Sequence, residues 1–348
     1  MRGSPARYLQ RMRQFPQVGD ATFTKGCKLR GVMKVGVIGA GAVGSACALA
    51  LMQRGSAREI VLVDRTAARA RAVALDMRYG GPVSPTVDVR DGSYADLQGA
   101  DLVMITSGVN EKSGGATDRS DAQGRLKLLD ANVAIYREIV PQVVAAAPAA
   151  LLMVVTDPPD PLADLTRELA NHDRVISTGT VIDSLRFRVH LGERIGVNPA
   201  SVEAMAIGEH GTSEVLLWSS ATVAGLPVRE ACQQCGASFE SVRDAVERDV
   251  RYANITIIEG NNASQYGIAI VCARLAEAVL RDERAVFPVA SYQERYGVTM
   301  ALPSVVGRGG VIRVLEPPMS ADERAQLEGS AERLRAAGDR LRVATATS

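Results

Sequence analysis

Three short polar stretches of the sequence carry side chains suited to acid–base chemistry and anion binding. In DSLRFR, Asp183 and Arg186 are three residues apart, so on a helix both side chains point to one side. His210 follows the apolar run VEAMAIG, and an imidazole exchanges a proton near neutral pH. Arg125 follows a glycine-rich loop and opens a predicted helix. A single histidine after an apolar run is usually structural, so the Asp–Arg pair, in which Asp183 lies 27 residues upstream, decides how His210 is interpreted.

A glycine motif predicts a nucleotide-binding turn. The predicted strand KVGVI runs directly into GAGAVG, which fits G-x-G-x-x-G. Gly39 permits the tight turn, Gly41 lets a pyrophosphate approach the backbone, and Gly44 lets the following helix pack closely on the strand. The N–H groups and positive dipole at the start of that helix would face the phosphates.

The end of the second predicted strand, EIVLVD, indicates which dinucleotide binds. Asp64 ends this strand, where a carboxylate accepts hydrogen bonds from both hydroxyls of the adenosine ribose and repels a 2′-phosphate. Arg65 follows and would favour the phosphate. On the strength of Asp64, we predict NAD rather than NADP as the cofactor.

The elements that must position these residues alternate between short apolar strands and helices. KVGVIG, EIVLVD, DLVMITSGV and LLMVVTD are predicted strands, and helices are predicted between them, one of them over residues 126–146. Apolar runs separated by polar helices are typical of a parallel sheet covered on both faces. We therefore predict an α/β fold: a Rossmann-type, doubly wound parallel sheet with a C-terminal, mixed α+β catalytic domain that ends in a long helix near residues 320–342.

The chain divides into three predicted regions. Residues 1–32 are rich in Lys and Arg, lack a clear apolar period, and are predicted to be a disordered basic extension; an organellar presequence is the alternative. Residues 33–177 are predicted to form the NAD-binding domain, and residues 178–345 the catalytic and substrate domain.

The amino-acid composition argues against a nucleic-acid-binding protein and against a membrane protein. With 40 basic and 39 acidic side chains, the net charge of +1 gives no bulk field for nucleic acid or anionic lipid, so we expect neither as a partner. The apolar runs are too short to span a bilayer.

Five scattered cysteines fit a reducing compartment, which predicts a cytoplasmic protein. Cys232 and Cys235 form a lone C-x-x-C, which we interpret as coincidental; a redox or metal role is the alternative.

Residues 33–267 resemble the lactate/malate dehydrogenase family, and most strongly its L-lactate dehydrogenase branch. Several stretches in order carry the resemblance. They are GAGAVG, ITSGVNEK, RLKLLDANVAIYREIVP, LLMVVTDPPDPL, GTVIDSLRFR, IGEHGTSEV and YGIA. The resemblance implies an NAD-dependent enzyme that interconverts a small L-2-hydroxy acid and its 2-oxo acid, and that assembles as a homodimer or homotetramer.

Roles for the chemical residues follow from the resemblance. His210 would take the hydroxyl proton as hydride leaves, and Asp183 would fix the tautomer of its ring and stabilise the imidazolium. Arg186 would hold the substrate carboxylate with its planar fork, and Arg125 would stabilise charge on the carbonyl oxygen. The implied cofactor-binding residues are Gly39, Gly41, Ala42, Val43, Gly44, Asp64, Thr106, Gly108 and Asp157. No metal is implied.

One departure from the family pattern lies beside the reacting atoms. The family's Thr-Asn-Pro motif stands here as Thr156-Asp157-Pro158. The amide of Asn donates hydrogen bonds there, whereas a carboxylate does not unless it is protonated. A negative charge near His210 is expected to raise the pKa of the imidazole, and it can also repel the substrate carboxylate.

A second departure lies in the loop that the family closes over its substrate. The segment between Asn110 and Arg125 is longer than is common, and Glu111 occupies the position that separates lactate enzymes from malate enzymes. Glu111 would disfavour a second substrate carboxylate, whereas Arg119 in the added segment would attract one. Lids exclude water and complete the site, so we place substrate specificity here.

The substrate side chain is expected to meet Ser264, where lactate dehydrogenases commonly have the larger Thr. The pattern therefore favours L-lactate and pyruvate or a somewhat larger monocarboxylate. Two alternatives stay open: a malate dehydrogenase that uses Arg119 for the second carboxylate, and a homologue that binds NAD but no longer catalyses a reaction.

Overall fold

The computed structural model describes residues 33–109 and 124–346, without the side chains of 124–127 and 341–346. The basic extension, residues 1–32, lies outside the described residues. In the first half of the chain the strands are β1 (Lys34–Ile38), β2 (Glu59–Val63), β3 (Asp88–Asp91), β4 (Leu102–Ile105), β5 (Leu151–Val154) and β6 (Val175–Ser177). The helices are α1 (Ala42–Arg54), α2 (Ala67–Gly80), α3 (Gly124–Ala146), α4 (Pro159–Ala170) and α5 (Val181–Ile195), with 3₁₀ turns at Gly81–Val83 and Tyr94–Leu97.

These strands form one parallel sheet in the order β3-β2-β1-β4-β5-β6. The chain starts in the middle at β1, builds outward to β3, and then crosses to β4 on the other side. The carboxyl ends of β1 and β4 therefore flank the point where the strand order reverses, which is where doubly wound sheets bind ligands. The predicted Rossmann-type sheet is confirmed.

Strand β3 was not predicted from the sequence because of its composition. Its residues, DVRD, include only one apolar side chain, because β3 is the edge strand of the sheet. Only Val89 is fully buried, whereas all the residues of β1, β4 and β5 are buried.

The second half of the chain is mixed α+β, as predicted. Its helices are α6 (Val228–Gln234), α7 (Phe239–Asn261), α8 (Tyr266–Arg281) and α9 (Ala321–Ala346), with a 3₁₀ turn at Pro199–Ser201. Its strands are β7 (Val202–Glu203), β8 (Ala206–Ile207), β9 (Val215–Leu216), β10 (Thr222–Val223), β11 (Leu226–Pro227), β12 (Ala285–Phe287), β13 (Ala290–Gln293), β14 (Val298–Ala301), β15 (Ser304–Gly307) and β16 (Gly310–Val314). β13 and β14 extend the large sheet antiparallel beyond β6, so both halves of the chain build it.

Two buried apolar layers cover the faces of the large sheet. On one face α1 packs against α8, and small side chains such as Ala48, Ala273 and Ala276 let the two helices approach closely. On the other face α3 and α4 cover the strands through Val133, Tyr136 and other buried side chains. The layers fix α1 and α4, whose first turns form part of the site described below.

No single helix among the described residues has both the length and the apolar composition to cross a bilayer. α7 and α8 meet that criterion only as a pair, with a bend of 118° between them.

Candidate active site

The glycine turn between β1 and α1 is closed so tightly that a side chain could not be accommodated at Gly39 or Gly44. Gly39 has a φ of +101°, in the left-handed region that glycine tolerates. A Cβ atom on Gly44 would lie 1.8 Å from the carbonyl oxygen of Gly39. The Thr106 hydroxyl, at the end of β4, lies 3.0 Å from the carbonyl oxygens of both Ile38 and Gly39. The turn is thus fixed between the ends of two neighbouring strands.

The start of α1 is suited to a pyrophosphate. No side chain caps this helix terminus among the described residues. A Cβ atom on Gly41 would meet nothing within 4 Å, so there is open space above the turn. The first N–H groups of a helix carry partial positive charge and need partners, which phosphate oxygens supply. These features fit the predicted NAD.

Asp64 lies beside this turn at the end of β2. One carboxylate oxygen accepts the N–H of Ala40 at 2.8 Å, and the other accepts the N–H of Thr66 at 2.8 Å. The two bonds fix the carboxylate next to the glycine turn. Each oxygen keeps a further lone pair, which a ribose hydroxyl can use.

The residues predicted to bind cofactor and substrate meet in one cleft. The described residues enclose about 250 Å³ between the glycine turn, the loops after β4 and β5, and helices α5, α7 and α8. The predicted residues that line it are Gly41, Ala42, Val43, Thr106, Gly108, Asp157, Arg186, His210 and Ser264. Gly39, Gly44 and Asp64 support the turn just behind this lining.

His210, Asp183 and Arg186 form a connected group at the base of the cleft. Nδ1 of His210 lies 2.6 Å from one carboxylate oxygen of Asp183, and the Arg186 guanidinium donates to the other at 2.9 Å. Asp183 is almost completely buried, whereas the His210 and Arg186 side chains are about one-eighth exposed, at 13% and 12%. The i, i+3 spacing on α5 places Asp183 and Arg186 together as predicted.

This geometry dictates which chemistry each group can perform. A carboxylate at Nδ1 favours the tautomer with the proton on that nitrogen and stabilises the imidazolium form. Proton exchange is thereby directed to Nε2. The Asp183 carboxylate also restrains Arg186, whose planar fork matches a bound carboxylate.

Asp157 lies in the loop after β5, where it lines the cleft. Its peptide bond to Pro158 is cis, and its backbone carbonyl accepts a hydrogen bond from the Asn132 amide at 2.8 Å. The predicted influence of its carboxylate on His210 stays a prediction.

Three predicted residues fall in or beside the parts of the chain that the structure does not describe. Glu111 and Arg119 lie outside the described residues. Arg125 is the second residue of α3, which starts at Gly124, two residues before the predicted range of 126–146, but its side chain is also outside the described part.

Asn132 is a buried residue of the site that the sequence analysis missed. Its side chain on α3 is fully buried; its Oδ1 accepts the N–H of Val109 at 2.8 Å, and its Nδ2 donates to the carbonyl of Asp157. It therefore joins the loop after β4 to the loop after β5. A detectable signal was present, since Asn132 is a polar residue beside the buried Val133 and three residues after the buried Leu129.

Asp160 is the second missed residue, in the first turn of α4. Its side chain is 1% exposed, and its two carboxylate oxygens accept the Ser177 hydroxyl at 2.6 Å and the backbone N–H of His210 at 2.8 Å. Burial raises the pKa of Asp160 to about 6, although both hydrogen bonds act in the opposite direction. In the sequence, Asp160 is only a charged residue within the proline-rich stretch DPPDP at the start of a helix, and nothing there indicates that it is buried or contacts His210.

The remaining candidates from the sequence lie away from the cleft. Cys232 is buried and Cys235 is exposed on α6 and its C-terminus, and no group of three or more metal-ligating side chains occurs among the described residues. The other two histidines of the sequence were not candidates and also lie outside the cleft lining. His190 lies 3.6 Å from Glu193 on α5, and the His172 ring accepts the N–H of Arg174.

Both halves of the chain match models of known protein domains. A model of the NAD binding domain of lactate/malate dehydrogenase matches residues 33–177. A model of the alpha/beta C-terminal domain of lactate/malate dehydrogenase matches residues 180–341.

Individual relatives match over nearly their full length. An L-lactate dehydrogenase of Deinococcus radiodurans is 46% identical over 304 residues, which cover 87% of this chain and 97% of the relative. One from Thermus aquaticus is 40% identical over 316 residues, covering 89% and 99%. The crystal structure of a minor L-lactate dehydrogenase from Enterococcus mundtii in its ligand-bound form superposes with a TM-score of 0.81 at 33% identity, over 88% of this chain and 98% of that one.

Proposed function

The chain belongs to the lactate/malate dehydrogenase family, and on that premise we propose that it interconverts L-lactate, or a somewhat larger L-2-hydroxy monocarboxylate, with the corresponding 2-oxo acid. It is an NAD-dependent oxidoreductase that acts on a CH–OH group. The observation that carries the proposal is the His210 imidazole, held by buried Asp183 beside Arg186 in the cleft that opens at the glycine turn.

We assign the cofactor to the glycine turn, the start of α1 and Asp64. Bound NAD would supply the hydride acceptor for oxidation and, when reduced, the hydride donor for the reverse reaction. Thr106, Gly108 and Asp157 line the same cleft and would contact the cofactor.

The protein's own groups carry the proton and hold the substrate. His210 takes the hydroxyl proton at Nε2 during oxidation and returns it during reduction, while Asp183 balances the charge that develops on the ring. Arg186 holds the substrate carboxylate and so orients its C2 atom. Arg125, at the start of α3, is proposed to stabilise negative charge on the C2 oxygen.

A panel of 2-oxo acids assayed with NADH tests the substrate class. We expect pyruvate and 2-oxobutyrate to have a kcat/KM at least about tenfold above that of oxaloacetate, because Glu111 is predicted to disfavour a second carboxylate. The measurement is initial NADH oxidation across a range of pH, for the wild type and Arg119→Ala.

The two alternatives give different results in the same assay. If the wild type prefers oxaloacetate and Arg119→Ala abolishes this preference, the protein is a malate dehydrogenase that uses Arg119 for the second carboxylate. Tight NADH binding without oxidation by any 2-oxo acid would establish a catalytically silent protein.

We also propose that the chain assembles as a homodimer or homotetramer in the cytoplasm. Exposed apolar pairs with i, i+4 spacing occur on three helices, which is unusual for a solvent-facing surface. The pairs are Leu75 and Tyr79 on α2, Leu185 and Val189 on α5, and Tyr266 and Ile270 on α8. Sedimentation should give a mass of two or four chains, and Ile270→Lys should lower it, whereas a wild-type monomer at micromolar concentration would refute the assembly.

A further inference from the structure

A second buried carboxylate, that of Asp160, contacts the same histidine at its backbone N–H, whereas Asp183 contacts the ring. We propose that Asp160 is a positioning residue that fixes the backbone of His210 and, through its negative charge, stabilises the protonated form of the imidazole together with Asp183. This inference rests on the proposed function, in which His210 is the acid and base.

The geometry ties three elements to the histidine. Asp160 on α4 accepts the N–H of His210 with one oxygen and the Ser177 hydroxyl of β6 with the other. The Ser177 oxygen in turn accepts the N–H of Gly179 at 3.0 Å. The backbone of residue 210 is thereby fixed against α4 and the end of β6, while its ring is fixed against α5.

The charge of Asp160 is not balanced by a neighbouring cation. No Lys or Arg pairs with it among the described residues, whereas the carboxylate of Asp183 is shared with Arg186. With a pKa of about 6, Asp160 is mostly ionised at neutral pH. Its burial keeps water from screening the charge, and the histidine that it contacts is a group whose positive charge interacts with it.

Other charged groups also face the histidine and must be held constant in a test. Arg186 lies on α5 with Asp183, and Asp157 lines the same cleft as His210. The adjacent Glu209 carboxylate accepts the Ser213 hydroxyl. A substitution at Asp160 leaves all of these in place, so a change in the titration of His210 reports on Asp160 alone.

Asp160→Asn is the decisive variant, because it removes the charge and nearly preserves shape. The amide oxygen can still accept the N–H of His210, and the amide nitrogen can donate to Ser177. Reduction of pyruvate requires a protonated imidazole, so we expect the alkaline limb of kcat/KM for pyruvate with NADH to move down by about one pH unit. The ascending limb for lactate oxidation should move in the same direction, because that reaction requires the neutral ring.

Asp164→Asn is the matched control. Asp164 lies one turn further along α4, is partly buried, and accepts the N–H and hydroxyl of Thr299 instead of contacting the histidine. Its neutralisation removes a charge from the same helix, and we expect both limbs to stay within about 0.2 pH units of the wild type. Ser177→Ala, which removes a hydrogen bond but keeps the Asp160 charge, should also leave the alkaline limb in place.

The pH profile separates an electrostatic role from structural damage. A variant that is only distorted loses rate at every pH, without displacement of the limbs. If Asp160→Asn does not fold, Asp160→Ser supplies a smaller neutral acceptor, and the same downward displacement is expected. An unmoved limb in a folded, NADH-binding variant would overturn the role of Asp160 while leaving the proposed function intact. Failure of the wild type to reduce any 2-oxo acid would instead overturn the proposed function.

Discussion

His210→Asn should lower kcat/KM for pyruvate reduction by about a thousandfold or more while changing NADH affinity by less than about threefold. The Asn amide can still donate to Asp183, so the contact at the base of the cleft has a substitute. The Asn side chain, however, has no nitrogen that exchanges a proton near neutral pH. The loss therefore reports proton transfer rather than collapse of the site.

His190→Asn is the control for that experiment. His190 also lies on an element of the site, α5, and also faces an acidic neighbour, Glu193, but it does not line the cleft. We expect its kcat/KM to remain within about twofold of the wild type. The assays are steady-state NADH oxidation and NADH fluorescence titration at several pH values. Activity of His210→Asn within tenfold of the wild type would show that another group moves the proton.

Local sequence patterns were sufficient to predict the strand, glycine turn and helix to which the cofactor is assigned. The strand, glycine turn and helix from Lys34 to Arg54 are contiguous, and each step depends on near neighbours: an apolar run, a left-handed φ at Gly39 and small side chains on α1. Edge strand β3 escaped prediction because an edge position does not require the apolar run that reveals a buried strand.

The reacting groups depend on contacts between distant parts of the chain. Spacing alone placed Asp183 and Arg186 on one side of a helix, but the approach of His210 to Asp183 was inferred through the resemblance to a family. Asn132 and Asp160 were missed for a related reason. Asn132 accepts the backbone N–H of Val109, and Asp160 accepts the backbone N–H of His210. Every residue except proline has such an N–H group, so the sequence does not reveal which residue will be the partner.

The second large effect is expected from Arg186→Lys, which keeps the positive charge but removes the planar fork. The Arg186 side chain lines the cleft and is mostly shielded from water, so its contacts are not readily replaced by solvent. A hydrogen bond to a charged group contributes about 1.5–3 kcal/mol, so the loss of one of two such bonds should raise the KM for pyruvate about 10- to 100-fold.

The division of this loss between KM and kcat distinguishes the proposed role from its alternatives. A carboxylate grip acts equally in the bound substrate and in the transition state, so kcat should fall by less than about tenfold. Arg188→Lys, two residues further along α5 and outside the cleft lining, should leave both constants within about twofold. If Arg186→Lys instead lowered kcat at unchanged KM, Arg186 would act mainly on Asp183 and the histidine, and the substrate carboxylate would have to be held by another group. That outcome would also move the pH profile, because an altered ion pair to Asp183 changes the charge beside the His210 ring, whereas a simple loss of substrate affinity would not.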